Sequence, residues 1–184
     1  MKKSSLPLLI IILTGFALRL YRLGAQSLWY DETVSALLAR KAIPDLIAHT
    51  ARDIHPPGYY LLLHGWRQLA GETEWALGFF SVIFGMLLLV GLYRVGRTWF
   101  NSSVGLWAAG VVALSPYNLW YAQEVRMYTL GAFLGLAAIY FAGRAIFDRR
   151  TAARRARFLA QPWLGYLLAA ALGLYTLYYF AASR

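Results

Sequence analysis

Long apolar runs separated by short polar stretches dominate the chain. The runs Ser4–Leu23, Trp75–Tyr93, Val104–Tyr121, Met127–Phe147 and Trp163–Phe180 are each close to the ~20 residues that an α-helix needs to cross hydrocarbon. Several carry Trp or Tyr near their ends, as interfacial belts do. A sixth run, Pro57–Ala70, is shorter at about 14 residues, a length that suits an interfacial or re-entrant helix better than a span. Thr33–Lys41 has apolar residues at 34, 37 and 38 and a polar opposite face, the spacing of an amphipathic helix lying in the interface. Pro44 then breaks the pattern and can start a second short helix. Pro56 and Pro57 force His55 toward extended geometry and restart the chain as the 57–70 helix. The expected fold is an all-α polytopic membrane protein. It has about five transmembrane helices, spans 4–23, 75–93, 104–121, 127–147 and 163–180, plus interfacial helices in a first outer loop, 24–74. Residues 1–184 then form a single transmembrane domain.

Composition agrees. Hydrophobic residues make up 60% of the chain and charged residues 14%, with a mean hydropathy of +0.50. Soluble domains run near ~45–50% apolar and ~25% charged. There is no cysteine, so neither a disulfide framework nor a thiolate metal site can form. The net charge of +10 raises a nucleic-acid partner, but the placement of the charge argues against one. The basic residues cluster at Lys2/Lys3, at Arg94/Arg97 and at Arg149, Arg150, Arg154, Arg155 and Arg157. With five spans all three clusters face the cytoplasm; if 57–70 also crossed, they could not share a side. Asp31, Glu32, Asp45, Asp53, Glu72, Glu74 and Glu124 then lie outside, and Asp148 inside. The run 149–157 reads as a topology determinant that can also touch anionic headgroups, with membrane lipid and not nucleic acid as its partner. The first run resembles a signal peptide, but Arg19 and Arg22 follow it and no small-x-small site fits. An uncleaved helix with a cytoplasmic N-terminus, in a multi-pass protein of the plasma (inner) membrane, is expected.

Candidate chemistry gathers on the outer face. Trp29-Tyr30-Asp31-Glu32 places two carboxylates beside the first span, and ionisable groups at membrane depth are functional candidates by default. The plainer alternative is that Asp31 caps the following helix while Glu32 complements its dipole. Glu124 and Arg126 sit in a tight turn at 122–126, where a mutual ion pair is the plainer reading. His55 before its prolines can be a local hydrogen-bonding residue or a site group. His49 and His55, with Asp53 and Asp31, could hold a divalent metal, although no spacing here is diagnostic and no metal is assigned. Arg19 and Arg22 at the outer boundary either snorkel to headgroups or meet a phosphate. On the five-span topology Asp31, Glu32, His55, Glu124 and Arg126 share one membrane face, which points to a site.

The order Arg19-Leu20-Tyr21, Trp29-Tyr30-Asp31-Glu32, His55-Pro56-Pro57, Ser115-Pro116 and Gln123-Glu124-Val125-Arg126-Met127-Tyr128 resembles the N-terminal part of C-type membrane glycosyltransferases. The grouping is the protein O-mannosyltransferase and lipid A aminoarabinose transferase superfamily, and the resemblance covers essentially the whole chain. It implies a glycosyltransferase that moves a sugar from a polyprenyl-phosphate donor to an acceptor, with inversion at the anomeric carbon. It also implies Asp31 as general base, Glu32, beside it in the catalytic set, as an acceptor or structural neighbour, and Glu124 as a second site acid. Arg19, Arg22 and Arg126 are then candidates for the donor phosphate, and His55 and Tyr128 for substrate contacts. That chemistry fits the residue types. An acceptor hydroxyl needs a carboxylate to take its proton, and a phosphate leaving group needs a cation and no acid. Members of the family are longer, so the chain is expected to be an N-terminal part of a larger enzyme. A non-catalytic membrane subunit or a transporter-like helical bundle is the alternative.

Overall fold

The computed structural model describes residues 5–147 and 152–178, with backbone alone for residues 5 and 152–161. Among the described residues there are helices and turns and no strand. The helices are α1 (Ser5–Leu20), α2 (Tyr30–Arg40), α3 (Ile43–Thr50), α4 (Gly58–Ala70), α5 (Glu74–Trp99), α6 (Ser102–Leu114), α7 (Pro116–Tyr121), α8 (Tyr128–Phe147) and α9 (Ala152–Thr176).

Their starts follow from local chemistry. Thr73 caps α5 by accepting the Ala76 N–H at 3.1 Å, Asn101 caps α6 by accepting that of Val104 at 3.0 Å, and Ser115 caps α7 ahead of Pro116. Pro44 lies in the first turn of α3, where its missing N–H costs nothing.

The long helices alternate in direction. Leu23, just past α1, meets Gly78 near the start of α5, and Gly15 lies against Leu89, so α1 and α5 run oppositely. Gly96 of α5 lies against Gly105 of α6, and Gly85 against Ala122 just beyond α7, so the chain returns beside α5. A Cβ on Gly96 or Gly105 would collide with the facing backbone, which is why small residues mark this crossing. Helix α8 runs parallel to α5: the Thr129 hydroxyl donates to Ser81 O at 3.1 Å near one end, and Trp99 lies against Gly143 near the other. Helix α9 returns, with Phe141 against Gly165 and Gly131 against Leu177. Helices α2 to α4 cover the bundle end from which α5 and α8 start. There Leu38, Ala39, Leu46, Tyr59, Tyr60 and Leu63 pack on Phe80, Val125 and Met127. The helix expected over 57–70 is thus 58–70. It lies beside α2, with His64 Nδ1 at 2.9 Å from Ala39 O.

Helices α5 and α8 are long and apolar enough to cross a membrane, and α1 and α6 are shorter apolar helices. Leu9, Leu13, Trp107, Val111, Leu167 and Leu168 are exposed on the bundle flanks, as lipid-facing side chains are. A membrane protein is the consistent reading.

Four expectations need correction. The run 104–121 is not one helix. Pro116 lacks the N–H that Val112 O would accept, and the helix breaks at Ser115 into α6 and α7. The run 75–93 extends to Trp99, so Arg94 and Arg97 lie within α5 rather than beyond the end of the span. The basic segment between the expected spans 127–147 and 163–180 is helical from Ala152, where Ala and Arg favour helix, and Pro162 sits inside α9. Helix α2 starts at Tyr30 rather than near Thr33, which changes the role of the carboxylate pair. Lys2, Lys3, Asp148, Arg149, Arg150 and the ends of the runs at Ser4 and 179–180 lie outside the described residues.

Candidate functional site

Asp31 does not cap α2. Trp29 is the N-cap residue and Glu32 stands at the third helical position. From there the Glu32 Oε2 reaches back to accept the Trp29 N–H at 3.2 Å, the carboxylate half of a capping box. Its Oε1 accepts the Val125 N–H at 2.7 Å. One buried carboxylate therefore ties the start of α2 to the turn between α7 and α8. Asp31, one residue earlier, is released from structural duty and is 39% exposed.

The 122–127 turn is held from the other side by α5. The Ser81 hydroxyl donates to Glu124 O at 2.5 Å and lies 3.4 Å from Arg126 O. These bonds fix the backbone that aims Arg126 at Asp31. The Arg126 Nη2 is 3.6 Å from Asp31 Oδ2 and donates to His55 Nε2 at 3.1 Å, while Nη1 lies 3.4 Å from Asp31 O. A guanidinium only donates, so His55 Nε2 accepts and its proton sits on Nδ1. The Tyr128 ring lies 5.6 Å from the Arg126 guanidinium carbon, a cation–π distance. Arg126 is buried, and its Nε has no partner among the described residues.

Glu124 and Arg126 do not form the ion pair that their spacing suggested. Glu124 Oε1 accepts the Trp120 Nε1–H at 2.5 Å, a contact that the i, i+4 spacing allows. Its Oε2 is buried without a partner among the described residues. Burial is the main cause of a raised Glu124 pKa, with a further push from Glu32; Trp120 and Arg126 oppose it. Burial also pushes the Tyr60 hydroxyl on α4 up to about 12, against the pull of Arg126, so it stays protonated.

The structure thus brings Asp31, His55, Arg126 and Tyr128 into one cluster, with Glu124 on the turn behind it and Glu32 of α2 bonded to that turn. It does not bring Arg19 there. Arg19 is fully buried, its Nη1 donating to Gly15 O at 2.9 Å and its Nη2 to Val112 O at 3.2 Å and Asn118 Oδ1 at 2.5 Å. Val112 O is the carbonyl that Pro116 orphans, so Arg19 supplies the missing donor. Arg22 is exposed, in a left-handed conformation with φ of 60°. Gln123 closes the same corner, donating to Arg19 O at 3.0 Å and Tyr21 O at 2.8 Å past the end of α1.

Among the described residues no group of three or more His, Asp or Glu side chains is placed to hold a metal ion. His49 lies 3.3 Å from Lys41, and His55 faces Arg126. Two functional neighbours went unread in the sequence. Ser81 gave a signal as a hydroxyl in the apolar first half of α5, and Trp120 gave one by its four-residue spacing from Glu124.

A family model described as dolichyl-phosphate-mannose-protein mannosyltransferase matches residues 54–183, well over half of the chain. The match takes in His55, Ser81, Glu124, Arg126 and Tyr128 and begins after Asp31 and Glu32. No curated protein and no solved structure matches the chain.

Proposed function

The chain belongs to the dolichyl-phosphate-mannose-protein mannosyltransferase family, membrane glycosyltransferases of the mannosyltransferase type, and from that membership we propose that its polar cluster transfers mannose from a polyprenyl-phosphate carrier to a hydroxyl acceptor. Asp31 is the general base and Arg126 holds the donor phosphate. The observation that carries this reading is the Asp31–Arg126 pair itself. A half-exposed carboxylate with no capping duty lies 3.6 Å from a buried guanidinium that keeps an unused Nε.

In the reaction the Asp31–Arg126 pair parts to admit the substrates, Asp31 turning to the acceptor hydroxyl and Arg126 to the donor phosphate. The acceptor oxygen attacks that carbon while Asp31 takes the hydroxyl proton. The bond from the anomeric carbon to the phosphate oxygen breaks, and the phosphate leaves with the electron pair. Arg126 meets the charge that develops there, which is worth most in a site that excludes water. His55 and Tyr128 orient the guanidinium from its other edges. Arg19 has no part in the proposed phosphate site, because its Nη1 and Nη2 serve three oxygens of the fold and its Nε, although without a partner, is buried against Gly85 and away from Asp31. Glu32 and Ser81 set the backbone and Glu124 shapes the wall.

The cluster lies on the outer membrane face, and five segments (α1, α5, α6 with α7, α8 and α9) cross the plasma membrane from a cytoplasmic N-terminus. The alternating directions of those helices support this arrangement.

Two measurements on membranes containing the chain test the proposal. Transfer from radiolabelled polyprenyl-phosphate mannose should fall by about two to four decades in Asp31→Asn, the range for loss of a general base. Photo-crosslinking of a polyprenyl-phosphate probe should persist in Asp31→Asn and be lost in Arg126→Gln. Native-level transfer in Asp31→Asn, or native-level labelling in Arg126→Gln, overturns the assignment.

A further inference from the structure

Helix α3 borders a cavity that the proposed transfer reaction leaves unused. Its volume is about 600 Å³, and Lys41, Asp45, Ala48, His49, Arg52 and Asp53 line it. That is within the ~300–1,000 Å³ range of small-ligand sites.

The lining carries two bases and two acids that do not neutralise one another. The ion pairs among the described residues are Arg40–Glu72, Arg67–Glu72 and Arg126–Asp31. None joins Lys41 or Arg52 to Asp45 or Asp53. The bonds these groups do make leave their charge available. Lys41 Nζ lies 3.3 Å from His49 Nδ1, and since an ammonium only donates, Nδ1 accepts and the His49 proton sits on Nε2. Asp53 Oδ1 accepts the Ile54 N–H at 2.6 Å, leaving Oδ2 unused. Charges of both signs around one space, unpaired with each other, are complementary to a ligand that carries both.

Neighbouring apolar side chains point to where that ligand comes from. Ile43 and Ile47, on the helix that carries Asp45, Ala48 and His49, and Ile54, next to Asp53, are exposed at 49%, 43% and 78%. Apolar side chains on a short helix next to charged ones suit the boundary between headgroups and acyl chains.

We propose that this cavity binds the zwitterionic phosphoethanolamine headgroup of a membrane phospholipid. The phosphate meets Lys41, Arg52 and the His49 Nε2–H, and the ammonium donates to Asp45 and Asp53. A choline headgroup fits less well. Its quaternary ammonium has no N–H to give the carboxylates, and the lining has no aromatic face to receive it. An anionic glycerol headgroup would meet two carboxylates with nothing to offer them. The site is independent of sugar transfer and stands or falls separately from it.

Native mass spectrometry of the purified full chain with equimolar phosphatidylethanolamine, phosphatidylcholine and phosphatidylglycerol of matched acyl chains tests this. The ethanolamine lipid should be retained about tenfold over the choline lipid, the factor that one charge-assisted hydrogen bond carries. Asp45→Asn with Asp53→Asn keeps both side-chain shapes and should erase the preference over phosphatidylglycerol. Lys41→Gln with Arg52→Gln should lower retention of all three lipids. Equal retention of the three lipids by the native chain overturns the proposal without recourse to any variant. Unchanged selectivity in the folded Asp45→Asn/Asp53→Asn chain overturns it as well. Retention of soluble glycerophosphoethanolamine as strongly as the intact lipid would move the ligand off the membrane and overturn the lipid assignment.

Discussion

Adjacent residues of one type can carry opposite duties, and Asp31 and Glu32 do. Glu32 accepts two backbone N–H groups that no other side chain serves, at 3.2 Å from Trp29 and 2.7 Å from Val125. Asp31 makes one long ion pair in a half-exposed position. Glu32→Ala should therefore cost about 2–4 kcal/mol, the sum expected for two bonds to a charged acceptor. Asp31→Asn should stay within about 1 kcal/mol, because the pair is long, its carboxylate is half-exposed and Arg126 keeps its bond to His55. Thermal unfolding followed by helical circular dichroism measures both, and the reverse order would return the cap to Asp31. Nothing in Trp-Tyr-Asp-Glu tells the two roles apart, because the deciding partner, the Val125 N–H, lies 93 residues away. Glu124 makes a prediction in pH. Its raised pKa means that the folded chain holds a proton at a pH where the unfolded chain has lost it. Stability from this group therefore falls as pH rises from the ordinary carboxylate range through its folded value. Glu124→Gln keeps an oxygen for Trp120 and cannot ionise, so its stability advantage over the native chain should widen across that window. A constant difference at every pH would mean that Glu124 is ionised throughout.

The elements were legible where the chain signals them locally and illegible where a partner decides. The proline at 44 and the pair at 56–57 mark the starts of α3 and α4, and the boundaries agree closely. Pro116 carried an equally clear signal, but the apolar run around it hid the break between α6 and α7. What makes that break tolerable is Arg19, whose guanidinium serves Val112 O, Gly15 O and Asn118 Oδ1 at once. In sequence Arg19 reads as a boundary arginine, equally suited to headgroups or to a phosphate, because nothing nearby in the chain announces an orphaned carbonyl 93 residues on. The two readings separate experimentally. Arg19→Met leaves Val112 O and Asn118 unserved and should cost about 2–4 kcal/mol, from buried groups losing their partners. Arg19→Lys should recover part of that. Crosslinking to a polyprenyl-phosphate probe should be unchanged in whatever fraction of Arg19→Lys remains folded. Loss of the crosslink at native stability would restore Arg19 to the phosphate.

At the scale of the whole molecule, the helix directions set the polar cluster and the basic helix ends apart. The positive-inside reading of Arg94/Arg97 uses no contact. The helix directions use no charge, yet they put the Asp31 cluster at the end where α5 and α8 start and Arg94, Arg97 and Arg144 toward the end where they finish. Length sharpens the question. The 26 residues of α5 reach about 39 Å, enough for hydrocarbon and some of each interface. The 13 residues of α6 reach only about 20 Å, so that crossing is completed only if α7 and the Arg19-braced corner lie within the bilayer. The absence of native cysteine makes the test direct. Cysteine placed at position 97 should react with an impermeant maleimide only after the membrane is opened, and cysteine at 53 should react from outside in intact cells. Position 117, on the exposed face of α7, decides the short crossing. It should resist the aqueous reagent and accept a lipid-soluble one if α7 completes the span, since Tyr117 is 73% exposed on the bundle surface. Free aqueous reaction there would leave α6 too short to cross unaided, and outside labelling at 97 would remove the five-crossing arrangement, and with it the shared outer face on which the assignment of Asp31 and Arg126 depends.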